Sequence, residues 1–189
     1  MSCECTTTTP KDIPAENKVL EIEFLYLDVE TCQPCGGTSA ALAEALDTVK
    51  IPLAAMGVTL AESRVHVANA TLAQKHEFRS SPTIKVAGQD IDPAITEDDC
   101  PSCGTLAGDG ISVNCRTWHW KGDVFQAAPV GKIVYEIMAA AAELAVSDEN
   151  CCAESCCSGK DPNPEEEFAL PDNLKRFFAA RDSDQSLGC

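Results

Sequence analysis

Two cysteines three positions apart, in Cys32-Gln33-Pro34-Cys35, are the first residues of this sequence whose types and spacing can do chemistry. A thiolate, not a thiol, attacks a disulfide or binds a soft metal. The pair precedes a segment with helical periodicity, in which Leu42, Leu46 and Val49 share one face. The N–H groups and macrodipole at a helix start favour an anion, so Cys32 is expected to be the nucleophile, with a lowered pKa. Cys35 is the resolving thiol, near enough to close on a mixed disulfide, and Pro34 stiffens the turn between them. A structural pair, or one half of a zinc site, uses the same spacing.

The remaining cysteines also fall in groups. Cys100-Pro101-Ser102-Cys103 with Cys115 gives C-x2-C-x11-C. Three soft sulfurs suit As(III), Hg(II), Cu(I) or zinc, and His119 could complete a tetrahedral set. A second dithiol exchanging with the first, or a plain disulfide, fits the same residues. Cys151-Cys152-Ala153-Glu154-Ser155-Cys156-Cys157 places two vicinal pairs in acidic surroundings with no apolar neighbours to bury them. Metal or metalloid capture, a thiol relay to the domain, and a tail without a role are all compatible with that segment. Cys3, Cys5 and Cys189 are weaker additions. His119, flanked by Trp118 and Trp120, otherwise reads as a strand residue facing solvent, as does His66, and His76 reads as a helix-surface residue.

Twelve cysteines in 189 residues would suit a disulfide framework only in a small secreted chain. Here the hydrophobic fraction of 44% and the length support one domain with an ordinary core. The start, Met1-Ser2-Cys3-Glu4-Cys5, has neither a basic nor an apolar segment, so no secretory signal is read there. No stretch approaches the roughly 20 apolar residues that span a bilayer. The expectation is a cytoplasmic protein. A net charge of −16 argues against nucleic acid and fits a well-solvated surface.

Around the thiols, residues 1–17 read as a flexible tail and residues 18–146 as the domain. Within the domain, 19–27 is a strand, 38–49 a helix, 58–67 a strand and 70–78 a short helix capped by Asn69. Ser81-Pro82 opens a strand over 83–86, and Ala87-Gly88-Gln89 turns into Asp90-Ile91. Residues 93–114 read as a cysteine-containing loop insertion. Residues 115–127 form a hairpin about Lys121-Gly122-Asp123. Pro129 opens a long helix to about 145, striped by Val130, Ile133, Val134, Ile137, Met138, Ala141 and Leu144. Residues 147–189 form an acidic, Cys-rich tail, with a short amphipathic helix over 172–180 expected to dock back.

The order of strand, CxxC, helix, strand, short helix, proline-led strand, hairpin and helix is similar to that of thioredoxin. The fold expected is α/β, a mixed central sheet flanked by helices. More narrowly, Cys32-Gln33-Pro34-Cys35, the run Ser81-Pro82-Thr83-Ile84-Lys85-Val86-Ala87-Gly88-Gln89-Asp90-Ile91, and Cys115-Arg116 through Pro129 resemble a thioredoxin-like family of unassigned function. That family is associated with heavy-metal resistance gene clusters, and the resemblance covers about residues 18–146. It implies a cis peptide at Pro82 beside the dithiol, with the Ser81 backbone as the contact for an extended substrate. The pattern departs from the reductases where Glu30-Thr31 replaces the usual aromatic residue and where Gly36-Gly37 follows the dithiol.

Two functions follow as expectations. One is a thiol-disulfide oxidoreductase in heavy-metal or metalloid response, Cys32 attacking, Cys35 resolving, Ser81 and Pro82 lining the site. The alternative is a non-enzymatic binder of soft ions through Cys100, Cys103, Cys115, Cys151, Cys152, Cys156 and Cys157. No cofactor is obligatory in either, beyond a possible soft metal or metalloid ion. The partners expected are a thiol or disulfide substrate, or a protein that donates or accepts metal, with neither nucleic acid nor membrane.

Overall fold

Alternation along the first strand decides the layering. In β1 (Lys18–Tyr26), Leu20, Ile22 and Phe24 are buried on one face, while Leu25 and the following Leu27 turn to the other. A computed structural model describes residues 18–108, 111–146 and 168–185. In it β1 is central to a four-stranded mixed sheet. β2 (Val58–His66) runs parallel to it, β3 (Thr83–Val86) antiparallel, and β4 (Gln89–Asp90) antiparallel to β3, in the order β2-β1-β3-β4. The turn from β3 to β4 places both Ala87 and Gly88 at positive φ, 49° and 79°, as a two-residue hairpin requires.

The first face of β1 packs on α1 (Gln33–Ala55) and α4 (Val130–Val146), through Leu42, Leu46, Val49 and Leu53 of α1 and Ile133, Ile137 and Ala141 of α4. α1 begins five residues before the expected 38, so Gly36 and Gly37 lie inside its first turns rather than before it. α2 (Ala70–Lys75) is capped by Asn69, whose side chain accepts the Leu72 N–H at 2.9 Å.

The expected loop over 93–114 is corrected by the structure: it holds a strand and a helix. β5 (Thr96–Asp99) pairs antiparallel with β6 (Asn114–Trp120), which pairs with β7 (Asp123–Phe125), giving a second, three-stranded sheet. β5 is Thr-Glu-Asp-Asp, an edge strand without apolar alternation, and therefore carries no strand signature. α3 (Pro101–Ala107) follows at once, with Pro101 in its first turn.

Arg116 ties the second sheet to the first. Its buried guanidinium donates to both carboxylate oxygens of Asp90 at 2.8 Å, to Thr83 Oγ1 at 3.0 Å and to the Asp92 carbonyl, and it lies over the Trp118 ring. Such a bidentate, charge-assisted pair fixes geometry as well as energy. The last element, α5 (Asp172–Gln185), docks back on the domain through Leu174, Phe177 and Phe178. Asn173 locks it there: its amide oxygen accepts the Asn114 N–H and its amide nitrogen donates to the Asn114 carbonyl, both at 3.1 Å. No helix among the described residues is long and apolar enough to cross a membrane.

Candidate metal centre

Each thiol is set by the chain that precedes it. Cys32 is the N-cap of α1, with an extended backbone (φ −82°, ψ 109°). The loop before it is gathered by Asp28, whose Oδ1 accepts the N–H groups of Glu30 at 3.0 Å, Thr31 at 2.6 Å and Cys32 at 3.4 Å. Gly36 lets the first turn press against that loop, since a Cβ there would stand 2.9 Å from the Val29 carbonyl oxygen. Cys100 is the N-cap of α3 (φ −119°, ψ 95°), and its N–H donates to Val113 O at 2.8 Å. Gly104 repeats the role of Gly36, for a Cβ there would stand 2.8 Å from the Ile111 carbonyl oxygen. Cys115 lies on β6, held by Arg116, whose N–H donates to the Ser81 carbonyl at 2.7 Å.

These three segments bring Cys32, Cys100, Cys103 and Cys115 together, all four buried and with their sulfurs within 4.8 Å of one another. Cys32 Sγ lies 3.5 Å from Cys103 Sγ, 3.6 Å from Cys115 Sγ and 3.9 Å from Cys100 Sγ, and Cys103 Sγ lies 3.2 Å from Cys115 Sγ. Ligands about 2.3 Å from a tetrahedral ion stand about 3.8 Å apart, so these separations are of the right size for four thiolates on one ion. None of the four is in a disulfide.

Cys35 stands outside this set. It is buried, with its Sγ 3.3 Å from Ser81 Oγ, and Ser81 Oγ also accepts the Leu27 N–H at 3.1 Å. Ser81-Pro82 is a cis peptide, and the Ser81 carbonyl is engaged by Arg116.

Proton sharing sets the acidities of the thiols. The Cys103 and Cys115 thiols hydrogen-bond to Cys100 and hold its pKa far below the usual thiol range. The same sharing pushes Cys115 up, chiefly through Cys100, and pushes Cys32 up to about 12, again chiefly through Cys100. The neighbouring Cys32 thiol, then burial, raise Cys35. The helix start therefore does not make Cys32 an acidic thiol when no cation is present, because its sulfur sits among other sulfurs rather than facing water. A cation reverses the balance, since each bound ligand must be a thiolate.

The set differs from the sequence-based expectation in one ligand. Cys100, Cys103 and Cys115 do assemble, but the fourth member is Cys32, not His119. His119 is exposed, with Nδ1 3.5 Å from Thr96 Oγ1. His66 stacks on Tyr26, and His76 bonds Glu23 at 2.8 Å. Cys151, Cys152, Cys156 and Cys157 lie outside the described residues, as do Cys3, Cys5 and Cys189.

A family model described as a domain of unknown function (DUF2703) matches residues 20–137. The chain belongs to that family. The DUF2703 domain holds Cys32, Cys35, Cys100, Cys103 and Cys115, whereas α5, which packs against the same cluster, lies beyond it. Neither a curated protein nor a solved structure matches the chain.

Sequence reasoning missed three residues that build the site: Asp28 as the loop clamp, Arg116 as the anchor of β6, and Asn173 as the lock of α5. A faint signal was present for Gly104, because Cys-Gly closes both CxxC motifs.

Proposed function

We propose that this protein binds a single soft, thiophilic ion through the thiolates of Cys32, Cys100, Cys103 and Cys115. One observation carries the reading: four buried thiols from three separate segments converge within 4.8 Å. Burial of a lone thiolate is costly, and four together are tolerable only around a cation. An all-sulfur set selects zinc, Cu(I), Hg(II) or As(III) over hard ions, and a closed set suits holding an ion rather than activating water on it. The cytoplasm, where thiols stay reduced, is the matching compartment, and a protein that donates or accepts metal is the matching partner. The strand order and the CxxC opening α1 support a thioredoxin-like fold beneath the site.

The test is native mass spectrometry of the full-length chain with the seven cysteines outside the described residues replaced by serine. One zinc or As(III) ion per chain is expected, and zinc is lost on replacement of any one of the four ligands. No uptake of zinc, Cu(I), Hg(II) or As(III) would refute the reading.

A second reading is thiol-disulfide exchange, Cys32 attacking and Cys35 resolving. It is favoured by the place of both thiols at the start of α1 and by the hydroxyl of Ser81 beside Cys35. Reduction of insulin or glutathione disulfide that disappears in Cys32→Ser supports it, and no turnover with any reductant removes it.

A further inference from the structure

Cys35 is a buried nucleophile that the four-thiolate set does not use. It sits in the first turn of α1, three residues after Cys32, which caps that turn and whose carbonyl accepts the Gly36 N–H at 2.9 Å. Both thiols are buried in the same cluster. Cys32 thus belongs to two groups at once, the set around the ion and the dithiol with Cys35. When the ion is bound, Cys32, Cys100, Cys103 and Cys115 all have their sulfurs committed to it. Cys35 is then the one uncoordinated thiol among the described cysteines, and it stands beside a ligand.

We propose that the Cys32–Cys35 pair is an oxidative release switch for the ion, with a peroxide as the oxidant class. This inference rests on the metal-binding reading. The metal-bound Cys32 thiolate attacks one peroxide oxygen. The O–O bond breaks, hydroxide leaves and takes a proton to become water, and Cys32 becomes a sulfenic acid. The Cys35 sulfur then attacks the Cys32 sulfur, the S–O bond breaks, and the Cys35 proton leaves with the hydroxide as a second water. The two sulfurs surrender two electrons and the two peroxide oxygens gain them. Once in the disulfide, Cys32 offers no thiolate, so three thiolates are left to hold the ion and it dissociates faster. A sulfenic acid on Cys100, Cys103 or Cys115 has no uncoordinated cysteine beside it among the described residues, so this outcome is specific to Cys32. A reductant of the dithiol class restores the site.

The experiment uses the full-length chain with the seven outer cysteines replaced by serine, loaded with zinc and treated with one equivalent of hydrogen peroxide. Zinc release is followed with a chromogenic chelator, and disulfides are mapped by peptide mass spectrometry. Wild-type Cys35 should give a Cys32–Cys35 disulfide and release that is at least tenfold faster than in Cys35→Ser. Cys35→Ala should behave as Cys35→Ser does, and both should bind zinc with unchanged stoichiometry. A disulfide confined to Cys100, Cys103 and Cys115, or equal release rates, overturns the switch while leaving metal binding intact. A reduced protein that takes up no zinc overturns the metal reading, and the switch with it. The wild-type map is informative even where a Cys35 variant folds poorly.

Discussion

The two CxxC segments are close copies in backbone and different in use. Cys32 and Cys100 each cap a helix in extended conformation, each is followed by a proline in the first turn, and each motif ends in a glycine pressed against a carbonyl. In the second motif both thiols enter the four-sulfur set. In the first only Cys32 does, and Cys35 turns to Ser81 Oγ. The difference follows from where the helices lie. α3 packs on β6 and α5, so both its cysteines meet Cys115, whereas the start of α1 also borders the β3 entry at Ser81. One local motif thus serves as a two-ligand knuckle in one place and as a ligand plus a spare thiol in another. The surroundings, not the spacing, assign the chemistry.

The strongest way to break this comparison is to exchange the roles of the second cysteines. Cys103→Ser removes a ligand, and Cys35→Ser removes none. Even outer-shell partners of metal ligands are worth 10–100-fold in affinity, so loss of Cys103 should weaken zinc binding by at least about 100-fold. Cys35→Ser should change it by less than about threefold. Competition titration against a chelator of known strength reads both. Equal losses in the two variants would mean that the motifs are alike in use as well as in backbone.

The first cysteines differ in proton affinity, which predicts a pH dependence. Cys100 is held low and is already a thiolate near neutrality, so it surrenders no proton when the ion enters. Cys32, pushed up to about 12, and Cys115, also pushed up, both keep their protons there and must lose them. Binding therefore releases at least two protons, and affinity falls as pH falls throughout the range below about 12. Near neutrality the slope should be at least about 100-fold per pH unit, since each proton contributes tenfold. Calorimetry in buffers of different ionisation enthalpy counts the protons directly. Release of fewer than two would place Cys32 among the acidic thiols, as its helix-cap position alone suggests.

The glycines sharpen the structural half of the comparison. Gly36→Ala and Gly104→Ala each force a Cβ to within 3 Å of a backbone oxygen, Val29 O or Ile111 O. Overpacking of this kind costs about 1–3 kcal/mol. Both should lower the denaturation midpoint. Gly104→Ala should also weaken the ion site more, because its helix carries two ligands where α1 carries one. Denaturant titration with and without zinc separates the two effects.

Much of the frame was legible in the sequence because its signals are local. Strand-CxxC-helix, the positive-φ turns at Ala87-Gly88 and Lys121-Gly122, and the apolar stripe of α4 each lie within a few residues. β5 and α3 were not legible. Thr96–Asp99 is an acidic edge strand with no apolar alternation, and α3 has 7 residues, too few for a helical stripe to repeat. The site was half legible for a related reason. C-x2-C-x11-C is a short-range pattern, but Cys32 reaches Cys100 and Cys115 across separations of 68 and 83 residues, which only tertiary packing supplies. The docking of α5 was legible from its amphipathic pattern, but its lock, Asn173 on Asn114, is again a contact that only tertiary packing supplies.

The smallest expected effect lies in the loop that delivers Cys32. Asp28 Oδ1 accepts three successive N–H groups, those of Glu30, Thr31 and Cys32, and among the described residues no comparable side-chain clamp caps Cys100. Asp28→Asn keeps the shape and an acceptor oxygen but removes the charge that strengthens those bonds. Asp28→Ala removes the acceptor as well. Because Glu30 and Thr31 are exposed, water can replace part of what is lost, and the cost of Asp28→Ala should be about 1 kcal/mol, with less for Asp28→Asn. The informative readout is local: amide exchange of Glu30, Thr31 and Cys32 should rise in Asp28→Ala, while that of Cys103 and Gly104 stays unchanged. If exchange rises equally at both motifs, the two helix starts move as one unit, and the first motif owes its position to the shared thiol cluster rather than to its own loop.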